Sequence, residues 1–305
     1  MTEAEGALSP AENDLVTLFS DKKIPYIIAR NKSDLHHTML PPAGNTVYVS
    51  AITGDGIFEL KEKIGSLAAK EESGKRIVAD LITENDLVVL VVPIDKAAPK
   101  GRLTLPQQQT IRDILDAGAV SVVVRDTELT NALGALDQKP KMVITDSQVF
   151  ARVSKEVPED ILLTSFSILF ARYKGDLIAA VRGAAALNKL SDGDRVLICE
   201  GCTHHRQCGD IGTQKLPAWI TGYTGRKLSF EFTSGGEFPE DLSGYALVVH
   251  CGGCMLNDRE MKYRVKQSLD SGTPITNYGT AIAHIHGILE RSLRPFPEAI
   301  QALKE

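Results

Sequence analysis

The chain has 305 residues, 43% hydrophobic and 24% charged, an ordinary globular composition with room for two or three domains that each have a core. A formal charge of −5 and a sequence pI of about 5.9 argue against nucleic acid as a partner, because that ligand draws a basic face. The acidic, polar stretch from Met1 to Ala11 does not read as a targeting peptide, and no apolar run approaches the roughly 20 residues of a membrane span, so the expected setting is a reducing cytoplasm away from the membrane.

Ser9-Pro10-Ala11-Glu12 reads as a helix start, with Ser9 as N-cap, Pro10 at the first helical position and Glu12 at the third. Leu15, Leu18 and Phe19 continue it as a helical stripe. Ile24–Ala29 and Thr46–Ser50 read as buried strands, and Ile57, Leu60, Ile64 and Leu67 follow at helical spacing. Helix and strand thus alternate over 9–69, the pattern of a parallel α/β sheet. The charged stretch Lys70 to Arg76, which contains Gly74, reads as a linker. A second alternating block has strands at Leu87–Val92, Val120–Val124, Met142–Thr145 and Ile161–Thr164. Its helices are expected near Pro106–Ala117, Leu129–Leu136 and Gln148–Lys155. These strands are near-continuous apolar runs, as in a sheet covered on both faces. The block holds no histidine and no cysteine, and reads as structural. A long helical stretch from about Ser167 to Leu190 opens a third block, with strands at Val196–Cys199, Leu228–Phe232, Ala246–Val249 and Pro274–Asn277 and a charged helix near Arg259–Leu269. The expected fold class is therefore α/β, in three small parallel-sheet domains: 1–70, 76–166 and 167–305.

Asn31-Lys32-Ser33-Asp34 follows the first strand and Ser50-Ala51 ends the second. In that order, at strand carboxyl ends, they resemble the base-recognition half of a small GTPase, the N-K-x-D motif and then the S-A motif. The Asp34 carboxylate can accept from guanine N1–H and from the exocyclic amine. The Ala51 N–H can donate to guanine O6, and Lys32 can lay its stem along the base. No G-x-x-x-x-G-K-[ST] occurs in the 305 residues, so nothing cradles the β- and γ-phosphates or holds Mg²⁺. The expectation is a partial P-loop GTPase fold that lacks its front half, with an unpaired sheet edge and an exposed apolar face, either less stable than the rest or ordered by contacts elsewhere, and with no GTP hydrolysis from this chain alone.

The third block holds all five cysteines, in two knots that each follow an apolar strand. The first is Cys199-Glu200-Gly201-Cys202-Thr203-His204-His205 with Cys208 beyond it, and the second is His250-Cys251-Gly252-Gly253-Cys254. Clustered soft ligands without a secretion signal point to a metal or iron–sulfur site rather than to disulfides. If both strands lie in one parallel sheet, the knots meet at its carboxyl edge. Gly252 and Gly253 allow a tight turn that aims N–H groups at sulfur. Several chemistries compete. A Cys₄ zinc site from Cys199-x-x-Cys202 and Cys251-x-x-Cys254 has a gap far longer than the roughly 15–20 residues of zinc ribbons. Cys199 also ends a buried strand and is assigned to the core. A redox dithiol at Cys251-x-x-Cys254 leaves Cys202 and the histidines without a part. Five inert cysteines would not cluster in this way, and the C-x-x-x-C-x-x-C of radical-SAM enzymes does not occur.

The remaining pattern, Cys202-x-His204, a 45-residue gap (205–249) and His250-Cys251-x-x-Cys254, resembles the cluster signature of the HydF family, the maturation GTPases of [FeFe]-hydrogenases. The resemblance extends to the order of blocks: GTPase domain, α/β dimerisation domain, cluster-binding domain. It implies a 4Fe–4S cluster on Cys202, Cys251 and Cys254 with one iron open, and His204 or His250 at that position or beside it. His205 and Cys208 rank lower, and His284 and His286 read as structural. It further implies a scaffold that takes a 2Fe precursor from radical-SAM maturases and delivers it to apo-[FeFe]-hydrogenase. The family also binds GTP, for which this chain has the guanine-recognition half. The middle block would form a homodimer by extending one sheet across it. The rival expectation is a zinc-stabilised binding module with a vestigial nucleotide fold.

Overall fold

A computed structural model describes residues 2–3, 6–21, 24–35, 44–72, 74–94, 103–201 and 210–304. The chain forms two compact units, Met1–Lys75 and Arg76–Glu305.

The first unit contains β1 (Thr2–Glu3), α1 (Pro10–Asp21), β2 (Ile28–Asn31), β3 (Thr46–Tyr48) and α2 (Ile57–Glu72). Its sheet is parallel in the order β1-β2-β3. The start of α1 is a reciprocal cap: the Glu12 carboxylate accepts from the Ser9 N–H at 2.8 Å, and the Ser9 hydroxyl accepts from the Glu12 N–H at 3.3 Å. The strand expected at Ile24–Ala29 begins four residues later, because Pro25 has no N–H to give a ladder. It runs on to Asn31, so the N-K-x-D motif begins on the strand itself. The apolar face expected here is exposed: Leu15, Ile52, Phe58 and Ile64 are all at least half accessible, and α1 buries none of its residues.

The second unit holds two four-stranded parallel sheets. The first is built from β4 (Leu87–Val91), α3 (Leu105–Asp116), β5 (Val120–Val124), α4 (Leu129–Ala135), β6 (Met142–Thr145), α5 (Phe150–Glu156) and β7 (Leu162–Ser165). Its order is β5-β4-β6-β7, which leaves β5 as an outer strand. Every residue of β4 and β6 is buried, as their unbroken apolar runs require. The helix expected from about Ser167 to Leu190 is broken into α6 (Phe166–Lys174) and α7 (Leu177–Ala185), followed by a short 3₁₀ turn. Gly175 caps the first helix, and the Asp176 carboxylate accepts the Ala179 N–H at 3.0 Å to start the second.

The other sheet comprises β8 (Arg195–Glu200), α8 (Leu216–Thr224), β9 (Ser229–Ser234), β10 (Leu247–His250), α9 (Asp258–Asp270) and β11 (Ile275–Asn277), in the order β11-β10-β8-β9. Three helices that sequence patterning left unassigned close the chain: α10 (Tyr278–Ile285), α11 (Leu289–Ser292) and α12 (Pro297–Lys304). Leu289, Leu293, Phe296, Ala299 and Ala302 return to the core of the middle sheet. Arg291 fastens them there by donating to the carbonyls of Ser154, Val157 and Pro158. No helix among the described residues is long and apolar enough to cross a membrane.

Candidate metal centre

The two knots are brought to one edge. In the β8–β10 ladder Cys199 stands opposite His250, and in the β10–β11 ladder His250 stands opposite Asn277. One residue further along each strand, Glu200, Cys251 and Tyr278 form a row across the carboxyl edge of three neighbouring strands, where open α/β sheets present their ligand sites. The backbone N–H of Gly201 donates to Cys251 Sγ at 3.0 Å, and that of Gly253 donates to the same sulfur at 3.4 Å. Two amide donors on one sulfur favour the thiolate, the form that binds metal. Gly253 has φ +58°, and a Cβ there would meet Met261 Sδ at 2.4 Å, so both the turn and its packing demand glycine. Cys254 is half-buried. Cys202 follows Gly201 in the chain. With His204, His205 and Cys208 it lies outside the described residues, and among the described residues no three His, Cys, Asp or Glu side chains form a metal-holding group.

Cys199 is fully buried among Ala179, Leu197, Val248 and Ile275. Burial pushes its thiol up to about 11, which fits the core assignment and makes it a poor ligand at neutral pH. His250 is buried, and burial pushes its imidazole down to about 4. Both ring nitrogens are engaged. Nδ1 lies 2.7 Å from the Cys251 carbonyl and Nε2 lies 3.0 Å from Arg264 Nη1. The guanidinium must donate, so the proton sits on Nδ1 and points to the loop carbonyl. Arg264 is itself fully buried on α9; it also donates to Glu260 at 2.7 Å and to the Gly235 carbonyl at 2.9 Å, and stacks over Phe238. A second buried cation, Lys174 at the end of α6, donates to the carbonyls of Cys254 and Leu256 at 3.2 and 3.1 Å. Lys174 thus holds the Cys251–Cys254 turn directly, and Arg264 acts on it through His250.

Sequence reasoning missed three parts of this centre: Lys174, Arg264 and Tyr278. Lone residues far from the knots in the chain carry no spacing signal. The Tyr278 hydroxyl is held above its ordinary range, first by burial and then by the neighbouring charges of Cys251, Glu200 and Asp210, so it remains a protonated donor. His284 and His286 take no part in this row. His284 meets Tyr223 and Asn188 at the far end of α10, and His286 packs edge-on against Trp219.

In the first unit the two guanine motifs are stitched to each other. Asn31 Oδ1 accepts the Ala51 N–H at 3.1 Å and Asp34 Oδ1 accepts the Ser50 hydroxyl at 2.5 Å. The Ala51 N–H assigned to guanine O6 is therefore already taken by Asn31. Lys32 adopts a left-handed φ of 65°, and both Lys32 and the Asp34 carboxylate are exposed.

None of the curated proteins compared matches the chain. Residues 77–175 match the Hydrogen maturase F dimerization domain and residues 178–295 match the Hydrogen maturase F tetramerization domain. The two matches adjoin, cover most of the chain and fall in the order of its two parallel sheets, so the protein belongs to the hydrogen maturase F (HydF) family of hydrogenase-maturation proteins.

Proposed function

We propose that the chain is a scaffold that carries a 4Fe–4S cluster on Cys202, Cys251 and Cys254, accepts a 2Fe precursor from radical-SAM maturases, and hands it to apo-[FeFe]-hydrogenase. The observation that carries this reading is the Cys251 sulfur. It receives N–H groups from both knots, one from Gly253 in its own turn and one from Gly201, the residue before Cys202. A zinc ribbon or an isolated dithiol does not call for a donor from a second strand. Iron–sulfur centres use such N–H···S bonds to set their potential. Three thiolates on a cubane leave one iron for an exchangeable ligand, which a carrier requires. His250, with both ring nitrogens bonded, supports the loop, and this leaves His204 as the histidine for the open position.

Two further parts of the reading have structural support. The outer strand β5, with Val120 and Val123 exposed, offers an edge on which a second copy can extend the sheet. The Asp34 carboxylate is exposed and could accept from a guanine base beside its bond from the Ser50 hydroxyl, although no phosphate loop accompanies it in the sequence. Elemental analysis of anaerobically purified protein tests the main reading. Iron with inorganic sulfide is expected, and Cys251→Ser should lose the brown absorbance and hydrogenase activation together. Zinc alone in the wild type would establish the zinc-stabilised module instead, and four retained irons in Cys251→Ser would refute the ligand assignment.

A further inference from the structure

Tyr278 has an unusual place in the row Glu200, Cys251, Tyr278. Its hydroxyl oxygen is shut off from solvent and has no hydrogen-bond partner among the described residues. Buried polar groups are nearly always paired, because an unmet donor forfeits its hydration without return. Cys251 Sγ, in the same row, accepts the Gly201 and Gly253 amides. The Tyr278 hydroxyl packs against Gly212. A Cβ on Gly212 would lie 2.4 Å from Tyr278 Oη and 2.6 Å from Glu200 Oε1, so both polar atoms converge on one point that any other residue would fill. Tyr278 is placed by the β10–β11 register and held by the Asn277 cap, whose side chain accepts the Thr280 N–H at 2.7 Å. The hydroxyl is therefore fixed at the cysteine edge before anything binds there.

We propose that Tyr278 is a positioning donor for the cluster, its O–H available to a sulfur of the centre on Cys202, Cys251 and Cys254, and that Gly212 is small so that the hydroxyl can keep its place at this edge. The inference rests on the cluster reading above and adds a residue to it. A hydrogen bond to sulfur stabilises the reduced, more negative centre and raises its potential. Removing only the hydroxyl must then lower the potential without unloading the iron.

The test is anaerobic reconstitution of wild type, Tyr278→Phe and Gly212→Ala, each assayed for iron and sulfide and then titrated electrochemically with the reduced signal followed by electron paramagnetic resonance. Tyr278→Phe is expected to hold the wild-type iron and sulfide and to titrate at a more negative potential. A wild-type potential and spectrum in a fully loaded Tyr278→Phe would overturn the inference and leave the cluster reading standing. Wild-type protein that takes up neither iron nor sulfide would overturn both. If Tyr278→Phe fails to fold or load, Gly212→Ala decides, because it displaces the hydroxyl without deleting it. A shifted potential there supports the proposal, and a wild-type potential overturns it.

Discussion

Arg264 has no access to solvent, and its guanidinium is anchored by His250, Gly235 and Glu260 and stacked over Phe238. Its place explains why the Cys251 turn has one shape. Arg264 fixes the His250 tautomer, and His250 Nδ1–H then holds the Cys251 carbonyl. A buried charge of this kind has a large desolvation cost and is worth keeping only while each partner is met. Replacing Arg264 with Met would leave the buried His250 Nε2 without a donor, at about 1–3 kcal/mol, and would free the Gly235 carbonyl. Arg264→Met should therefore lower the chemical-denaturation midpoint of the metal-free protein clearly. Arg264→Lys, which keeps charge but not the three-way fork, should recover only part of the loss. A midpoint for Arg264→Met equal to wild type would show that the network does not hold the loop.

At the scale of elements, the strands were the most legible part of the sequence. The runs that became β4, β6, β8 and β10 are apolar through their middles, with polar residues only at their ends, and they are the strands that ended up buried on both faces. The join between α6 and α7 was not legible, because the apolar pattern continues across it and only the Gly175–Asp176 pair marks the break. The last two helices, α11 and α12, were missed for a related reason. Their apolar faces look back to the middle sheet, far away in sequence, so their pattern did not belong to the block in which it was read. The site divides in the same way. Its cysteines were found from their spacing, whereas Lys174, Arg264 and Tyr278 reach it only through the fold. The β5 edge yields a prediction of its own. In a parallel ladder alternate residues bond to the same neighbour. Val120 N–H goes to the Asp86 carbonyl and the Val124 carbonyl accepts Val92 N–H, so Ser121 and Val123 turn their backbone groups to the open side. Val123→Pro removes an outward donor and leaves the ladder to β4 intact. Light scattering should then report a smaller oligomer for Val123→Pro than for the wild type. A Val123→Pro dimer of wild-type affinity would place the dimer contact elsewhere.

The two units of the molecule differ in what holds them together. In the first, Ala29, Val47 and Val49 are the buried apolar residues among those described, while Phe58 and Ile52 stand 77% and 87% exposed. In the second, each of the two parallel sheets has a core of its own, with β4 and β10 buried along their full length. Local opening becomes harder as buried apolar area grows, at roughly 25 cal/mol per Å², so these units should open at different free energies. The short pairing of β1 with β2, two residues in register, adds little. Hydrogen exchange read by mass spectrometry should accordingly show the amides of β2 and β3 exchanging well before those of β4, β6, β8 and β10 under native conditions. A guanine nucleotide that engages Asp34 would slow exchange at β2 and at residues 31–34 while leaving β4 and β6 unchanged, since ligand binding stabilises only the state it binds. Equal protection of β2 and β10 without nucleotide would mean that the exposed side chains of the first unit are covered in solution, and would disprove the expected difference in stability.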